Sequence, residues 1–374
     1  MRILIAPDKF KGSLTAVEAA AAIAEGALRV YPDAVTTQFP VADGGEGTLE
    51  AAVAAGYEER INAVVGPILA PIGAAWALRK DVSGATTAVI ETAQASGLAH
   101  MEPTPENSLR AHSYGCGQLI AAALDAGATE IVLGVGGSAM TDAGSGALRA
   151  LGLKPLDAAG NVVPLGGGSL ADAVSLDVTG LDPRLSAVRF RIACDVQSPL
   201  YGTTGAAHVF GRQKGADDDA VEKLDAGLRN WASLLREATG RDVNVPGAGA
   251  AGGFPASFLA FTQATLEGGF ALVAALTGLA EKLADADLVI TGEGSMDSQS
   301  LTGKAPIALA EAARERGIPV VAVAGRILVT PEELAEHGVV AAAQLLDVAP
   351  STQDAISDAG KYLAWATRQV LEGA

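Results

Sequence analysis

Short apolar runs, loops of small and charged residues, and alanine-rich helical segments alternate at both ends of this chain. That rhythm constrains the fold more than any other feature. RILIA (residues 2–6) reads as a buried strand and PDKFKGS as a loop. SLTAVEAAAAIAEGALRV follows as a helix, with Thr15 and Glu18 spaced for a capping box. VTTQFPVA, ADGGEG and TLEAAVAAG repeat the strand–loop–helix order. From residue 285 the rhythm returns with DLVIT, a helix over APIALAEAARERG, the strand IPVVAVAG, a helix after Thr330-Pro331-Glu332, VVAAAQLL and a terminal helix. Successive βα units of this kind favour a parallel sheet covered by helices.

Between these ends the character changes. RINAVVGPILAPIGAAWALRKD and TTAVIETA alternate more and carry Pro and Gly turns, which predicts antiparallel pairing. An alanine-rich helix (115–126), the strand EIVLGVGG, a helix after TDAGSG, a looser stretch to about residue 187 and the strand VRFRIACDV follow. The segment from Asp218 to Gly240 is clearly amphipathic, with Leu224, Leu228, Trp231 and Leu235 at helical spacing. A chain of 374 residues exceeds the roughly 100–200 residues of a usual single domain. The expectation is two α/β domains. One is a Rossmann/flavodoxin-like parallel-sheet domain built from both termini (1–60 plus 285–374), and the other an inserted mixed α/β domain (61–284).

Composition narrows the function classes. Hydrophobic residues reach 49% with a mean hydropathy of +0.29, yet only 4% of the chain is aromatic and much of the rest is alanine. The longest apolar segment, Phe270 to Ala280, is closed by Glu281 and Lys282, short of the roughly 18 residues a membrane span needs. MRILIAP is too short for a signal peptide. A soluble, cytoplasmic protein with no membrane partner is expected. The formal charge of −17 argues against a nucleic-acid partner. Cys116 and Cys194 have no CxxC partner and read as reduced thiols.

Ligands of open parallel sheets bind beyond the carboxyl ends of the strands. That rule selects PDKFKGS, with Asp8, Lys9 and Lys11; ADGGEGT, with Asp43 and Glu46; and TGEGSMDSQSLTGK, with Glu293, Asp297 and Lys304. Small residues leave amides free to meet an anion, lysines neutralise phosphate oxygens, and carboxylates hold a divalent cation or take a proton. Together these are the parts of phosphoryl transfer. The inserted region adds Asp142 in GVGGSAMTDAGSG, Asp195 in ACDV, and Arg212 with Lys214 in GRQKGA. Taken singly, Gly and Asp in such loops simply make turns and caps.

Standard nucleotide motifs do not fit. A P-loop needs Gly, four residues, then Gly-Lys-Ser/Thr. Here Ser298 stands where the first glycine belongs, and Ala305 follows Lys304. GAGAAGG (247–253) formally matches GxGxxG, but Pro246 precedes it and the upstream DVNV is short and polar. An NAD-dependent dehydrogenase using that loop remains the alternative from another enzyme class.

In order along the chain, IAPDKFKGSL, PVADGGEGT, GVGGSAMTDAGSG, ACDVQSPLYGTTGAAHVFGRQKGA, GAGAAGG and DLVITGEGSMDSQSLTGKAP run from residue 4 to the region of residue 325. Together they resemble the bacterial glycerate kinases of the type I family. The resemblance implies ATP- and Mg²⁺-dependent phosphorylation of D-glycerate, most often at the 2-hydroxyl. It also implies two α/β domains with the active cleft between them. Under it, Lys11 and Lys304 would hold anionic groups, and Asp195, then Asp43, would accept the hydroxyl proton. Glu46, Glu293 and Asp297 would serve the metal. Lys9, Ser13, Gly44, Gly45, Gly137, Ser138, Asp142, Lys214, Gly292 and Gly294 would bind substrate or phosphate. Lys9 stands where the family often has Ser, Thr141 where Asn is common, and Ser295-Met296 where Arg-Ile is usual. A kinase for a related small hydroxy acid is the nearer alternative.

Overall fold

The computed structural model describes residues 1–373. The chain forms two compact units. The first comprises Met1–Asp43, Glu50–Gly56 and the chain from Phe270 onward; the second comprises Gly44–Leu49 and Tyr57–Gly269. The division differs from the expected boundaries in three places, the smallest being residues 57–60, which run into the Glu58–Val65 strand of the inserted unit. Residues 270–284 pack with the terminal unit, where Leu279 and Leu283 bury against Leu4, Val289 and Ile307. The short Gly44–Leu49 segment belongs instead to the inserted unit.

Strands are numbered in chain order. They are β1 (Arg2–Ile5), β2 (Val35–Gln38), β3 (Glu58–Val65), β4 (Pro71–Lys80), β5 (Thr86–Glu91), β6 (Glu130–Gly134), β7 (Lys154–Leu156), β8 (Ser175–Asp177), β9 (Arg189–Ala193) and β10 (Thr265–Glu267) in the first run. β11 (Leu288–Thr291), β12 (Ser295–Met296), β13 (Val320–Ala324), β14 (Arg326–Ile327) and β15 (Val339–Gln344) complete the set. In the first unit, β15-β13-β11-β1-β2 form a sheet in which every pair is parallel. Its central strands are buried on both faces, the consequence of helices covering both sides. The first helix, Ala16–Val30, starts at the Thr15/Glu18 capping box. Helix Pro331–Glu336 has a second such box at Thr330 and Glu333.

The second unit holds a mixed sheet, β10-β9-β6-β5-β4-β3. β3, β4 and β5 pair antiparallel as expected, whereas β5-β6, β6-β9 and β9-β10 are parallel. The stretch read as loose holds the small antiparallel pair β7-β8. Helix Asp218–Thr239 is capped by Asp217, which accepts from the Ala220 amide, and ends at Gly240 with φ 75°. Leu224, Leu228, Trp231 and Leu235 are all fully buried, each contributing roughly 1.5–3 kcal/mol of burial. Trp231 Nε1 donates to Ser257 Oγ (3.1 Å), and Ser257 Oγ donates to the Ala143 carbonyl (2.6 Å). The core helix is thereby tied to the long loop after β6. Among the described residues no helix is long and apolar enough to cross a membrane.

Candidate functional site

In the first unit, the adjacent strands β1, β11 and β13 deliver three loops to the carboxyl edge of the parallel sheet. The Asp8 amide donates to the Gly292 carbonyl (2.8 Å) and the Gly325 amide to the Glu293 carbonyl (3.0 Å). Where these loops touch, a side chain is excluded at Gly292 and tightly confined at Gly294. A Cβ on Gly292 would lie 1.9 Å from the Val323 carbonyl oxygen, and one on Gly294 would lie 3.1 Å from the Lys11 amide nitrogen.

This packing buries two carboxylates among others. Asp8 is 8% exposed and Glu293 7%. Burial, reinforced by Asp43, pushes the Asp8 carboxyl up to about 7, against the pull of the Lys9 ammonium and of the Lys9 amide on Oδ1 (2.7 Å). Burial also raises the Glu293 carboxyl, opposed by the Ser300 hydroxyl and Lys304, and reinforced by Asp297 and Asp43. Glu293 Oε1 is buried without a hydrogen-bond partner. An uncompensated carboxylate oxygen among like charges fits a site for a cation. Asp297 Oδ1 is already engaged by the amides of Gln299 (2.9 Å) and Ser300 (3.3 Å). Lys304 occupies the N-cap position of helix Ala305–Arg314 and is half-buried. Lys11 is exposed, and Ser13 spends its hydroxyl on the Phe10 carbonyl (3.0 Å), making a turn.

The second unit gathers a different set. Gly44 and Gly45 press on the ends of the mixed sheet: a Cβ on Gly44 would meet Ala193 Cβ at 2.5 Å, and one on Gly136 would meet Gly45 Cα at 2.7 Å. Buried Glu91 accepts the Leu49 amide (2.8 Å). Glu46 is exposed on this loop. Asp195, also exposed, accepts the Gly269 amide on Oδ1 (2.8 Å). The loop after β6 is pinned to residues 96–98, through Leu98 N–H to the Gly137 carbonyl (2.9 Å) and Ala139 N–H to the Ser96 carbonyl (2.8 Å). Gly137 is exposed, and the next residue, Ser138, is buried.

Two expected ligand-binding residues prove to be internal. Asp142 is fully buried. Its Oδ2 accepts the Ser113 amide (2.8 Å), the Ser113 hydroxyl (2.8 Å) and the Gly146 amide (3.1 Å), and its Oδ1 accepts the Gly144 amide (3.1 Å). With four donors of its own surroundings on its carboxylate, Asp142 shapes the loop. Lys214 is 3% exposed and donates to Ser138 Oγ (3.1 Å) and the Met140 carbonyl (2.6 Å). Burial pushes its ammonium down to about 7, with Asp142 opposing. It positions Ser138.

GAGAAGG lacks the context of a dinucleotide fingerprint. Residues 241–245 form no strand, and the glycines serve packing instead. A Cβ on Gly252 would fall 2.0 Å from the Met140 carbonyl oxygen, and one on Gly249 2.3 Å from that of Pro199. The three expected metal residues also divide: Glu46 belongs to the second unit, Glu293 and Asp297 to the first. Among the described residues no group of three His, Cys, Asp or Glu side chains could hold an ion by itself. The sequence marked Asp8, just past β1 at a parallel-strand end, among the carboxylates that could hold a cation or take a proton, but the assignment of individual roles passed it over. Glu91 carried no such signal.

The glycerate kinase family profile matches residues 3–373. The glycerate 2-kinase of Escherichia coli (strain K12) is 43% identical over 99% of this chain and 97% of its own length. The glycerate kinase of Bacillus subtilis (strain 168) is 43% identical over the same shares. The crystal structure of a protein assigned as glycerate kinase 2 in Salmonella typhimurium LT2 matches with a TM-score of 0.86. It is 41% identical, covering 100% of this chain and 98% of that one. Two buried carboxylates and their lysines at a parallel-sheet edge, a lysine-braced glycine loop, and likeness along the whole length agree: this chain belongs to the glycerate kinase family.

Proposed function

We propose that this chain is a cytoplasmic kinase that transfers the γ-phosphoryl group of ATP to the 2-hydroxyl of D-glycerate. The observation that carries the reading is the Asp8–Asp43–Glu293 group with Lys9 and Lys304 at the carboxyl edge of the parallel sheet. Phosphoryl transfer needs charge neutralisation and positioning more than covalent chemistry. Lys11 and Lys304 neutralise phosphate oxygens, while amides of the glycine loops orient them.

The acceptor hydroxyl loses its proton as its oxygen bonds to the γ-phosphorus and the bond to the bridging oxygen breaks, releasing ADP. The Asp8–Asp43 pair takes that proton. A carboxyl held near 7 is matched to the task, because a general base works best when its pKa lies near the working pH. Asp195 is the second candidate, on the strength of its exposed place just past β9. The orphaned Oε1 of Glu293 makes it the carboxylate that would hold Mg²⁺, with Asp297 behind it. Bound there with nucleotide phosphates and water, Mg²⁺ would supply Lewis-acid neutralisation of the transferring group. The family pattern has Arg where this chain has Ser295. Here Arg326 donates from Nε to Ser295 Oγ (2.9 Å) and returns a positive charge to that spot.

The test is ADP release from MgATP with D-glycerate, with L-glycerate and no acceptor as controls, followed by phosphorus NMR of the product. Acceptor-dependent release giving 2-phosphoglycerate is expected. A 3-phospho product refutes the 2-hydroxyl assignment. Release indifferent to glycerate refutes the substrate.

A further inference from the structure

A cavity of about 580 Å³ lies within the second unit, and none of the residues assigned to phosphoryl transfer lines it. Arg149, Lys223, Arg110, Glu106 and His112 reach its wall, with Ile68 and Leu165 supplying apolar surface. Arg110 is neutralised by Glu106 (2.9 Å). Arg149 has no such partner. It is half-buried, its Nη1 donates to the Val163 carbonyl (2.9 Å), and no carboxylate lies within ion-pair distance among the described residues. Lys223 adds an exposed ammonium.

His112 supplies an independent sign. It is 1% exposed, and its Nδ1 faces the Tyr114 amide (3.3 Å), which can only donate. Burial holds the imidazole below its usual pKa, so the ring is neutral at pH 7. Its single proton must then sit on Nε2, and Nε2 has no acceptor. A buried donor without an acceptor, beside a half-buried guanidinium that the Asp142 carboxylate acts on only from beyond ion-pair distance, is a costly arrangement unless something supplies anionic oxygen. In a chain of net charge −17, such a local surplus of donors is the more telling. The volume exceeds what a bare oxyanion fills, and the apolar wall suits a short carbon skeleton.

We propose that this cavity binds a small organic polyanion, a short carbon skeleton bearing a phosphate or several carboxylates, between Arg149, Lys223 and His112. Its occupant would lie one residue from Ser113, whose amide and hydroxyl hold Asp142 and through it the loop after β6.

The test is calorimetric titration of the full chain with phosphoenolpyruvate, with citrate and with inorganic phosphate, repeated on Arg149→Met, Lys223→Met and Lys11→Met. One of the two organic acids should bind wild type and Lys11→Met alike, at least ten-fold more weakly to Arg149→Met and several-fold more weakly to Lys223→Met. Arg149→Lys, which keeps the charge but not the planar fork, should fall between. Should Arg149→Met fail to fold, the exposed Lys223 decides the matter. The proposal is overturned if neither acid binds at millimolar concentration, or if Arg149→Met and Lys223→Met bind unchanged. Loss of binding in Lys11→Met would place the ligand elsewhere, and equal binding of inorganic phosphate would remove the organic skeleton from the claim.

Discussion

Replacing Asp8 by Asn tests the electrostatics of the first unit directly. The folded carboxyl sits at about 7, against 3.8 for the ordinary group. A raised acid pKa means that the folded state holds the proton more tightly than the unfolded chain. The contribution to stability is therefore full below 3.8 and is lost as pH rises through 7. Asn keeps an oxygen for the Lys9 amide and has no charge to bury. Linkage between those two values gives a loss of about 2 kcal/mol in wild type, relative to the variant, between pH 5.5 and 8. Urea unfolding of both proteins across that range, clear of the acidic isoelectric region, reads it directly. Titrating groups remote from Asp8 cancel in the difference, leaving Asp8 and the carboxylates that act on it, Asp43 and Glu293. The variant should be the more stable protein at pH 8 and a poor kinase, as expected where a strained group is kept for function. Parallel stability profiles would refute the shift, and undiminished kcat would refute Asp8 as part of the base.

Other outcomes follow from single contacts. Asp142→Ala strips the acceptor from four buried donors and should cost about 3–5 kcal/mol in urea unfolding; an unchanged midpoint would return Asp142 to a ligand-binding role. Gly252→Ala drives a methyl into the Met140 carbonyl at a φ of 68°, and should lower both Tm and kcat by displacing the Lys214-braced loop. Asp195→Asn should keep most of its turnover if the Asp8–Asp43 pair is the base, and a loss of roughly 10²-fold or more in kcat would move that role to Asp195. Trp231→Ala should destabilise by about 3–5 kcal/mol through the cavity it leaves, with KM for both substrates unchanged in the folded fraction.

Some features are local and could be read along the chain. The capping boxes at Thr15 and Thr330 depend on residues three apart. The seam of the Asp218–Thr239 helix depends on its 3.6-residue period, and β11 and β13 betray themselves as unbroken apolar runs because parallel strands are covered on both faces. The loops that matter could be named for the same reason: a glycine-rich turn with a lysine or carboxylate after a strand is a local pattern, and five such patterns in order, together with GAGAAGG, carried the family.

What the side chains in those loops do is set by atoms far away in sequence. Asp142 reads as a ligand residue until Ser113, 29 positions earlier, fills its carboxylate. Lys214 reads as a phosphate lysine until burial against Ser138 and Met140 makes it a brace. Asp8 looks like any turn aspartate, and only the approach of the Asp43 and Glu293 loops together with its burial lifts its carboxyl toward neutrality. The assignment of Gly44–Leu49 to the second unit and of residues 270–284 to the first is likewise tertiary, decided by which core each segment buries against. Desolvation and charge–charge energies depend on distance in space, so the chain determined which groups were available, and only folding decided which of them stay charged, which are satisfied and which are left waiting for a ligand.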